Sequence, residues 1–336
     1  MNHMDLRKKI GLEKIINSSY NNTTGIVVLK NGKVLYENYF KEYTADNAVH
    51  VASVTKSIIS SLIGIAIENG YINSIEQNIL EFFPDYSIPE GEKTIQNVTI
   101  KNMLTMTAPY KYKTEPYEDF FASDNWINTA LDLLGGKAPI GEFMYSAIIG
   151  THILSGILVK ATGQSVLDFA TENLFSPLEI QVRHSVVLHN KEEHIAFFQD
   201  KNANGWVTDP QGVNTAGWGL TLTPMDMAKI GQLYLGGGVW NGKQMIPAWW
   251  IDESTKEQSR CRQWGNLVYG YLWWIIDEKE HSYAAMGDGG NVIYVNPKKN
   301  MVISLASLYV PRAKDRIKLI KEYIEPMFED SKLSDY

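Results

Sequence analysis

Apolar and polar residues alternate through the run GIVVLKNGKVLYENYF, which begins at Gly25 and is interrupted by Asn31-Gly32. A two-residue period places one face of an extended chain in a core. Asn-Gly supplies the two φ > 0 positions of a type I′ turn, so the segment predicts a β-hairpin. The pattern changes at SVTKSIISSLIGIAIENGYI, where apolar residues occupy nearly every face with small residues between them. Such a run predicts a helix buried on all sides, opening at Ser53 and stopping at Asn69-Gly70.

From about residue 75 to 215 the chain reads as mostly helical and loop-rich. Ser146–Thr162 and Val166–Leu174 carry helical periodicity, which places Tyr145-Ser146 at the head of an apolar helix. Strand patterns return in residues 268–277, 281–287, 291–297 and 301–308, with Asn296-Pro297 and Lys299-Asn300 turning the chain between the last two. Arg312 to Phe328 reads as a closing amphipathic helix. Strands at both ends with helices between them predict an α/β (α+β) fold. Residues 1–74 and 216–336 build one antiparallel sheet flanked by helices. A mainly helical domain of residues 75–215 is expected to be inserted between them.

Composition narrows the function. Hydrophobic residues at 44% and charged residues at 21% describe an ordinary globular chain. The net charge of -7, with lysine and arginine scattered singly, leaves no basic stripe for a nucleic-acid partner. Ile58–Ile67 is the most apolar stretch, and it falls far short of the about 20 residues that a membrane span needs. Cys261 is the single cysteine and has no internal disulfide partner. The start MNHMDLRKKIGLEKII has no apolar h-region and no small-residue cleavage site, so the expected location is cytoplasmic unless a signal has been trimmed. Oligomeric state has no signature here.

The first candidate for chemistry is Ser53-Val54-Thr55-Lys56. Residues i and i+3 share a helix face, so the amine lies beside the hydroxyl and can take its proton once burial lowers the lysine pKa. The helix N-terminus adds free N–H groups where an oxyanion would form. Spacing alone carries little weight, since such a pair arises about once or twice by chance in a chain of this size. The weight comes from a lysine one turn into a helix too apolar for the surface. Tyr145 is a candidate proton carrier and also an ordinary core tyrosine by type. Gly287-Asp288-Gly289-Gly290-Asn291 combines tight-turn residues with backbone freedom that would suit a second oxyanion donor. Other features exclude themselves. His189 and His194 are five apart and match no metal helix, so they read as a solvated polar segment. Gly236-Gly237-Gly238 lacks dinucleotide spacing, and His50 and His152 form no ligand set. Trp126, Trp206, Trp218, Trp264, Trp273 and Trp274 either wall an apolar cleft or, for Trp218, Trp273 and Trp274 above all, fill the core.

Together the segments resemble the serine β-lactamase and penicillin-binding protein superfamily, on its class C β-lactamase-like branch of esterases, D,D-peptidases and 6-aminohexanoate-oligomer hydrolases. The resemblance spans roughly residues 20–310 and rests on several ordered blocks. These are HVASVTKSIISSLIGIAIENGYI, ILEFFPDY with VTIKNMLTMTA, FMYSAIIGTHILSGILVKATGQSVLDFATENLFSPLEI, TAGWGLTLTPMDMAKIGQLYLGGGVWNGKQMIPAWW, YGYLWWI and MGDGGNVIYVNP. The resemblance implies a β-lactamase/transpeptidase-like fold with the active site in the cleft between the two domains. It implies Ser53 as the acylated nucleophile, Lys56 as its partner, and Tyr145 as the tyrosine of the Y-x-N motif. The third motif, K-T-G or H-x-G in relatives, falls on Asp288-Gly289-Gly290, with Ser53 and Asn291 N–H groups as the oxyanion hole. Two positions depart from the pattern. Ala147 replaces the asparagine of Y-x-N, and Asp288 stands where penicillin-processing relatives receive a substrate carboxylate. The expected function is a serine hydrolase acting on small-molecule esters or amides through an acyl-enzyme, without metal or organic cofactor. The alternatives are a true β-lactamase or D,D-carboxypeptidase, and a slowly acylated or non-catalytic penicillin-binding sensor.

Overall fold

The structure, a computed structural model, describes residues 6–328. The hairpin forms from β1 (Thr23–Lys30) and β2 (Lys33–Tyr39), closing through Asn31 and Gly32 at φ 51° and 71°. Late in the chain come β3 (Ser259–Cys261), β4 (Leu267–Tyr269), β5 (Trp274–Asp277), β6 (Ser282–Gly287), β7 (Asn291–Asn296) and β8 (Met301–Ser307). These eight strands make one antiparallel sheet in the order β2-β1-β8-β7-β6-β5-β4-β3. The expected strand 268–277 is therefore two strands. Gly270 N–H donates to Trp273 O and closes a turn between them, and a Cβ at Gly270 would stand 2.0 Å from Ser254 O.

Both faces of the sheet are buried. Ile26, Val28, Ile303 and Leu305 pack against Leu12 and Ile16 of α1 (Leu6–Ser19) and against Leu319, Ile320 and Ile324 near the end of the chain. Val27, Leu29 and Val302 face the opposite way into the larger core, as the two-residue period requires. The sequence pattern did not indicate α1, because only Leu12 and Ile16 of its residues are buried. The closing helix is shorter than expected. Asp315 caps Ile317 and Lys318, so helix begins at Arg316–Leu319, and it passes into a π turn at Ile320–Ile324 and a 3-10 turn at Glu325–Met327. Pro326 lacks the N–H that a continuing α-helix would use.

The remaining helices lie on the larger-core side. In α2 (Val54–Glu68) every residue from Val54 to Ala66 is buried, and Asn69 with Gly70 (φ 77°) ends it. Its neighbour is α3 (His152–Thr162), followed by the half-exposed α4 (Lys191–Gln199). Helix α5 (Pro224–Leu235) packs on β7 and β8, started by a reciprocal Thr223–Asp226 cap with proline in its first turn. No helix among the described residues is long and apolar enough to cross a membrane.

The tightness of α2 is testable at Gly64, where an added Cβ would stand 2.5 Å from the indole of Trp250. Alanine gains about 1 kcal/mol in helix propensity, but overpacking a rigid indole costs about 1–3 kcal/mol. Gly64→Ala is expected to lower the melting temperature in thermal unfolding. An unchanged or raised value would mean that Trp250 yields freely.

Candidate active site

Ser53 occupies the N-cap position of α2 but leaves the capping unmade: at φ -70° and ψ -3° its side chain accepts no cap hydrogen bond. The hydroxyl is thus free to serve Lys56. Ala52 just before it holds φ 49°, a left-handed conformation that costs a non-glycine residue about 1–3 kcal/mol and is concentrated at functional turns. Among the described residues the Ser53 main-chain N–H donates to no protein acceptor, so it points a free donor from the positive end of a buried helix.

Lys56 lies one turn on, 1% exposed. Its Nζ donates to Ser53 Oγ at 3.0 Å, to Gly217 O at 3.0 Å and to Ala147 O. Burial pulls its pKa down to about 7, while the carboxylates of Glu115 and Asp288 pull weakly the other way. The asparagine missing at Ala147 is thereby made up locally, because the main-chain carbonyl of the same residue takes the lysine bond. Gly217 has to be glycine to come this close: a Cβ there would stand 2.6 Å from Ala147 O.

Tyr145 joins this pair, but not from a helix. Residues 146–151 form turns, and α3 begins only at His152. Side chains take the N–H groups that a helix would have used. Ser146 Oγ accepts from Gly150 N–H at 2.8 Å and donates to Glu115 Oε1 at 2.6 Å, and Ile148 N–H donates to Glu115 Oε2 at 3.1 Å. The Tyr145 ring has Lys56 Nζ 5.3 Å from its centroid and Trp264 at 5.2 Å. Burial pushes its phenol pKa up, against a hydrogen bond from the Ser53 side.

The glycine turn meets the serine one register earlier than the motif letters suggested. Gly287, at the end of β6, is the residue against Ser53: a Cβ on it would stand 2.2 Å from Val51 O and 3.0 Å from Ser53 N. The pairing of β6 with β5 stops at Trp274↔Ala284, so Ala285 to Gly287 have no ladder partner on that side. Asp288, Gly289 and Gly290 form the turn beyond. Asn291 was expected to supply the second oxyanion donor, but it pairs with Gly287 across the ladder. Its buried side chain donates to His50 O at 3.3 Å and accepts from Ser307 N–H at 2.9 Å. The unpaired main-chain N–H next to Gly287 is that of Asp288.

A cleft of about 870 Å³ opens against this cluster, with Tyr145, Ala147 and Asp288 in its wall. Tyr112, Tyr117 and Trp264 form its aromatic sides, Trp264 being 50% exposed. Of its ionisable walls, Glu115, Glu142 and Asp288 are acidic and Lys113 is basic. Glu115 had no sequence signal, since it acts through main-chain groups 33 residues away. Trp218, Trp273 and Trp274 are buried, as are Trp126 and Trp206. The histidines do not join the cluster. His50 accepts from Gly219 N–H and is kept neutral by burial, its pKa lowered to about 3. His152 pairs with Asp209 at 2.9 Å. His194 is not simply solvated, for it lies on Trp218 at 5.4 Å. No group of three metal-ligating side chains occurs among the described residues.

Comparisons with known proteins establish the family. The sequence profile of the β-lactamase family matches residues 21–324. The chain is 22% identical over 301 residues to the 6-aminohexanoate-dimer hydrolase of Paenarthrobacter ureafaciens, covering 84% of this chain and 71% of that one. Among solved structures, a family VIII carboxylesterase superposes with a TM-score of 0.68 at 14% identity, covering 95% of this chain and 96% of its own. The octameric penicillin-binding protein homologue of Pyrococcus abyssi superposes with a TM-score of 0.69 at 19% identity, covering 95% of this chain and 78% of its own. With a matching profile over most of its length and a single antiparallel sheet in which strands from both ends of the chain pair side by side, this chain belongs to the β-lactamase family.

Proposed function

We propose that the protein is a serine hydrolase that works through a covalent acyl-enzyme on small esters or amides. The observation that carries this is a buried amine with a pKa near 7 placed 3.0 Å from the Ser53 hydroxyl. In its neutral form the Lys56 amine gives its two N–H groups to the carbonyls of Ala147 and Gly217, and its lone pair then faces Ser53. Ser53 Oγ attacks the substrate carbonyl as its proton passes to Lys56. The oxyanion rests between the N–H groups of Ser53 and Asp288. Tyr145, whose pKa is moved up, stays protonated and suits relay of the proton from Lys56 to the leaving alcohol or amine. Water then adds to the acyl group, again with Lys56 as base, and Ser53 is released.

The cleft bears on the substrate. Three carboxylates against one lysine disfavour a substrate carboxylate near the scissile bond, and exposed Trp264 and Tyr117 offer apolar walls to an acyl chain. Neutral or cationic esters and amides fit this setting better than penicillins. The family relatives, a carboxylesterase and a 6-aminohexanoate-dimer hydrolase by name, are in keeping with that preference. Rapid turnover of a chromogenic cephalosporin would instead favour a true β-lactamase.

The direct test is hydrolysis of p-nitrophenyl acetate. Ser53→Ala is expected to lower kcat by about 10³-fold or more, and equal rates in the two proteins would overturn the reading. The base is tested by pH. Lys56 acts neutral, so kcat/KM should rise with pH through a limb near 7. Asp288 favours the ammonium, so Asp288→Asn should move that limb to lower pH, and a shift to higher pH would exclude this assignment. Charge selection has its own readout. Asp288→Lys should raise kcat/KM for a succinate monoester by about tenfold relative to a neutral ester of equal length; no relative change would show that Asp288 does not face the substrate.

A further inference from the structure

Arg316 is 3% exposed and makes no ion pair with a carboxylate among the described residues. A guanidinium is rarely buried without an anion, because its lost hydration has to be replaced by fixed acceptors. Here the acceptors converge on the active-site turn. Nη2 donates to Asn22 Oδ1 at 2.6 Å and lies 3.5 Å from Gly289 O, and Nη1 donates to Lys314 O at 2.9 Å. The guanidinium lies over the ring of Tyr20 at 4.9 Å and against Gly290, where a Cβ would stand 2.6 Å from Nε. Burial pulls its pKa down to about 10.

Asn22 completes the grip. Its Nδ2 donates to Gly289 O at 2.6 Å and to Leu308 O at 2.7 Å. The whole turn is held in this way. Gly287 O accepts from Gly290 N–H, Asp288 O from Asn291 Nδ2, Gly289 O from Asn22, and Gly290 O from Ser307 Oγ. Four successive carbonyls are tied, while the Asp288 N–H has no protein acceptor among the described residues. A turn with two glycines at φ 83° and 99° would otherwise have wide conformational freedom.

We infer that Arg316, acting with Asn22, is a positioning residue that fixes the 287–290 turn and so aims the Asp288 N–H at the oxyanion formed on Ser53. The inference rests on Ser53 being the nucleophile. Arginine suits the task because its planar fork serves two acceptors while it lies flat on a glycine and a tyrosine ring, whereas a lysine brings charge without the fork.

The test compares wild type, Arg316→Lys, Arg316→Met, Asn22→Ala and the double variant Asn22→Ala/Arg316→Met, each shown folded by near-ultraviolet circular dichroism below its melting temperature. The readouts are kcat and KM for p-nitrophenyl butyrate and the inhibition constant of an arylboronic acid, whose tetrahedral adduct needs the oxyanion donors. Both arginine variants should lose kcat by about tenfold or more, less than the about 10²–10³-fold loss on deleting a donor outright. Boronate affinity should fall in parallel and KM should stay within about twofold. Asn22→Ala should lose kcat in the same way, and its loss should be less than additive with that of Arg316→Met. A folded Arg316→Lys with wild-type kcat and boronate affinity would overturn the inference. So would lower melting temperatures with unchanged kinetics. If any arginine variant fails to fold, Asn22→Ala decides by the same readouts. A wild type with neither Ser53-dependent turnover nor boronate binding would remove the nucleophile assignment itself, a different failure that the Ser53→Ala control identifies.

Discussion

An amine stripped of its water has to be given acceptors or lose its charge, and at Lys56 the fold does both. The helix that carries it is apolar on every side, so the amine enters the core with its first turn. Two carbonyls are brought to it from distant segments, at Ala147 and Gly217, and glycine is needed at the second for the approach. With only carbonyls, one hydroxyl and weakly felt carboxylates around it, the neutral amine becomes accessible near physiological pH. The loop at 145–151 and the segment around 217 are thus held to the position of one nitrogen, and Tyr145 and the cleft take their places from them.

How much of this was legible in the sequence depends on the range over which each feature is determined. The hairpin, the buried helix and the Ser53–Lys56 pair are local: a turn dipeptide, a run of apolar residues and a three-residue spacing specify them. A single antiparallel sheet built from both ends of the chain also followed from the strand patterns, which missed β3 and ran β4 and β5 together. The loop at Tyr145 was misread as helix because its N–H groups are taken by Ser146 and by Glu115, a residue 31 positions from that serine. Periodicity records which residues are buried and says nothing of such a partner. The third motif was misplaced for a related reason. Which residue of a strand abuts the nucleophile depends on where the pairing of β6 with β5 ends, and that register is not written in the glycines themselves. Helix α1 escaped notice because two buried residues make too faint a stripe.

The two departures from the family pattern have different physical standing. At Ala147 the lost side chain is replaced by a main-chain atom of the same residue, so the lysine's surroundings survive. At Asp288 nothing restores the positive or neutral character of relatives, and the carboxylate joins Glu115 and Glu142 around the cleft. One change is absorbed by the backbone, while the other alters the field that a substrate would meet.

The turn beside Ser53 is gripped by Asn22 and Arg316, residues separated by 294 positions. During synthesis the helix that carries Ser53 and Lys56 leaves the ribosome early, with most of the chain still to come. β1 has no β8 to pair with and the turn has neither glycines nor arginine until the last strands are made. Under the proposed mechanism the serine and its lysine can therefore be adjacent in a nascent chain that has no working oxyanion site, and acylating power would arrive only as the two ends of the chain close on one another. Such an order would keep unfinished chains from being trapped as acyl adducts.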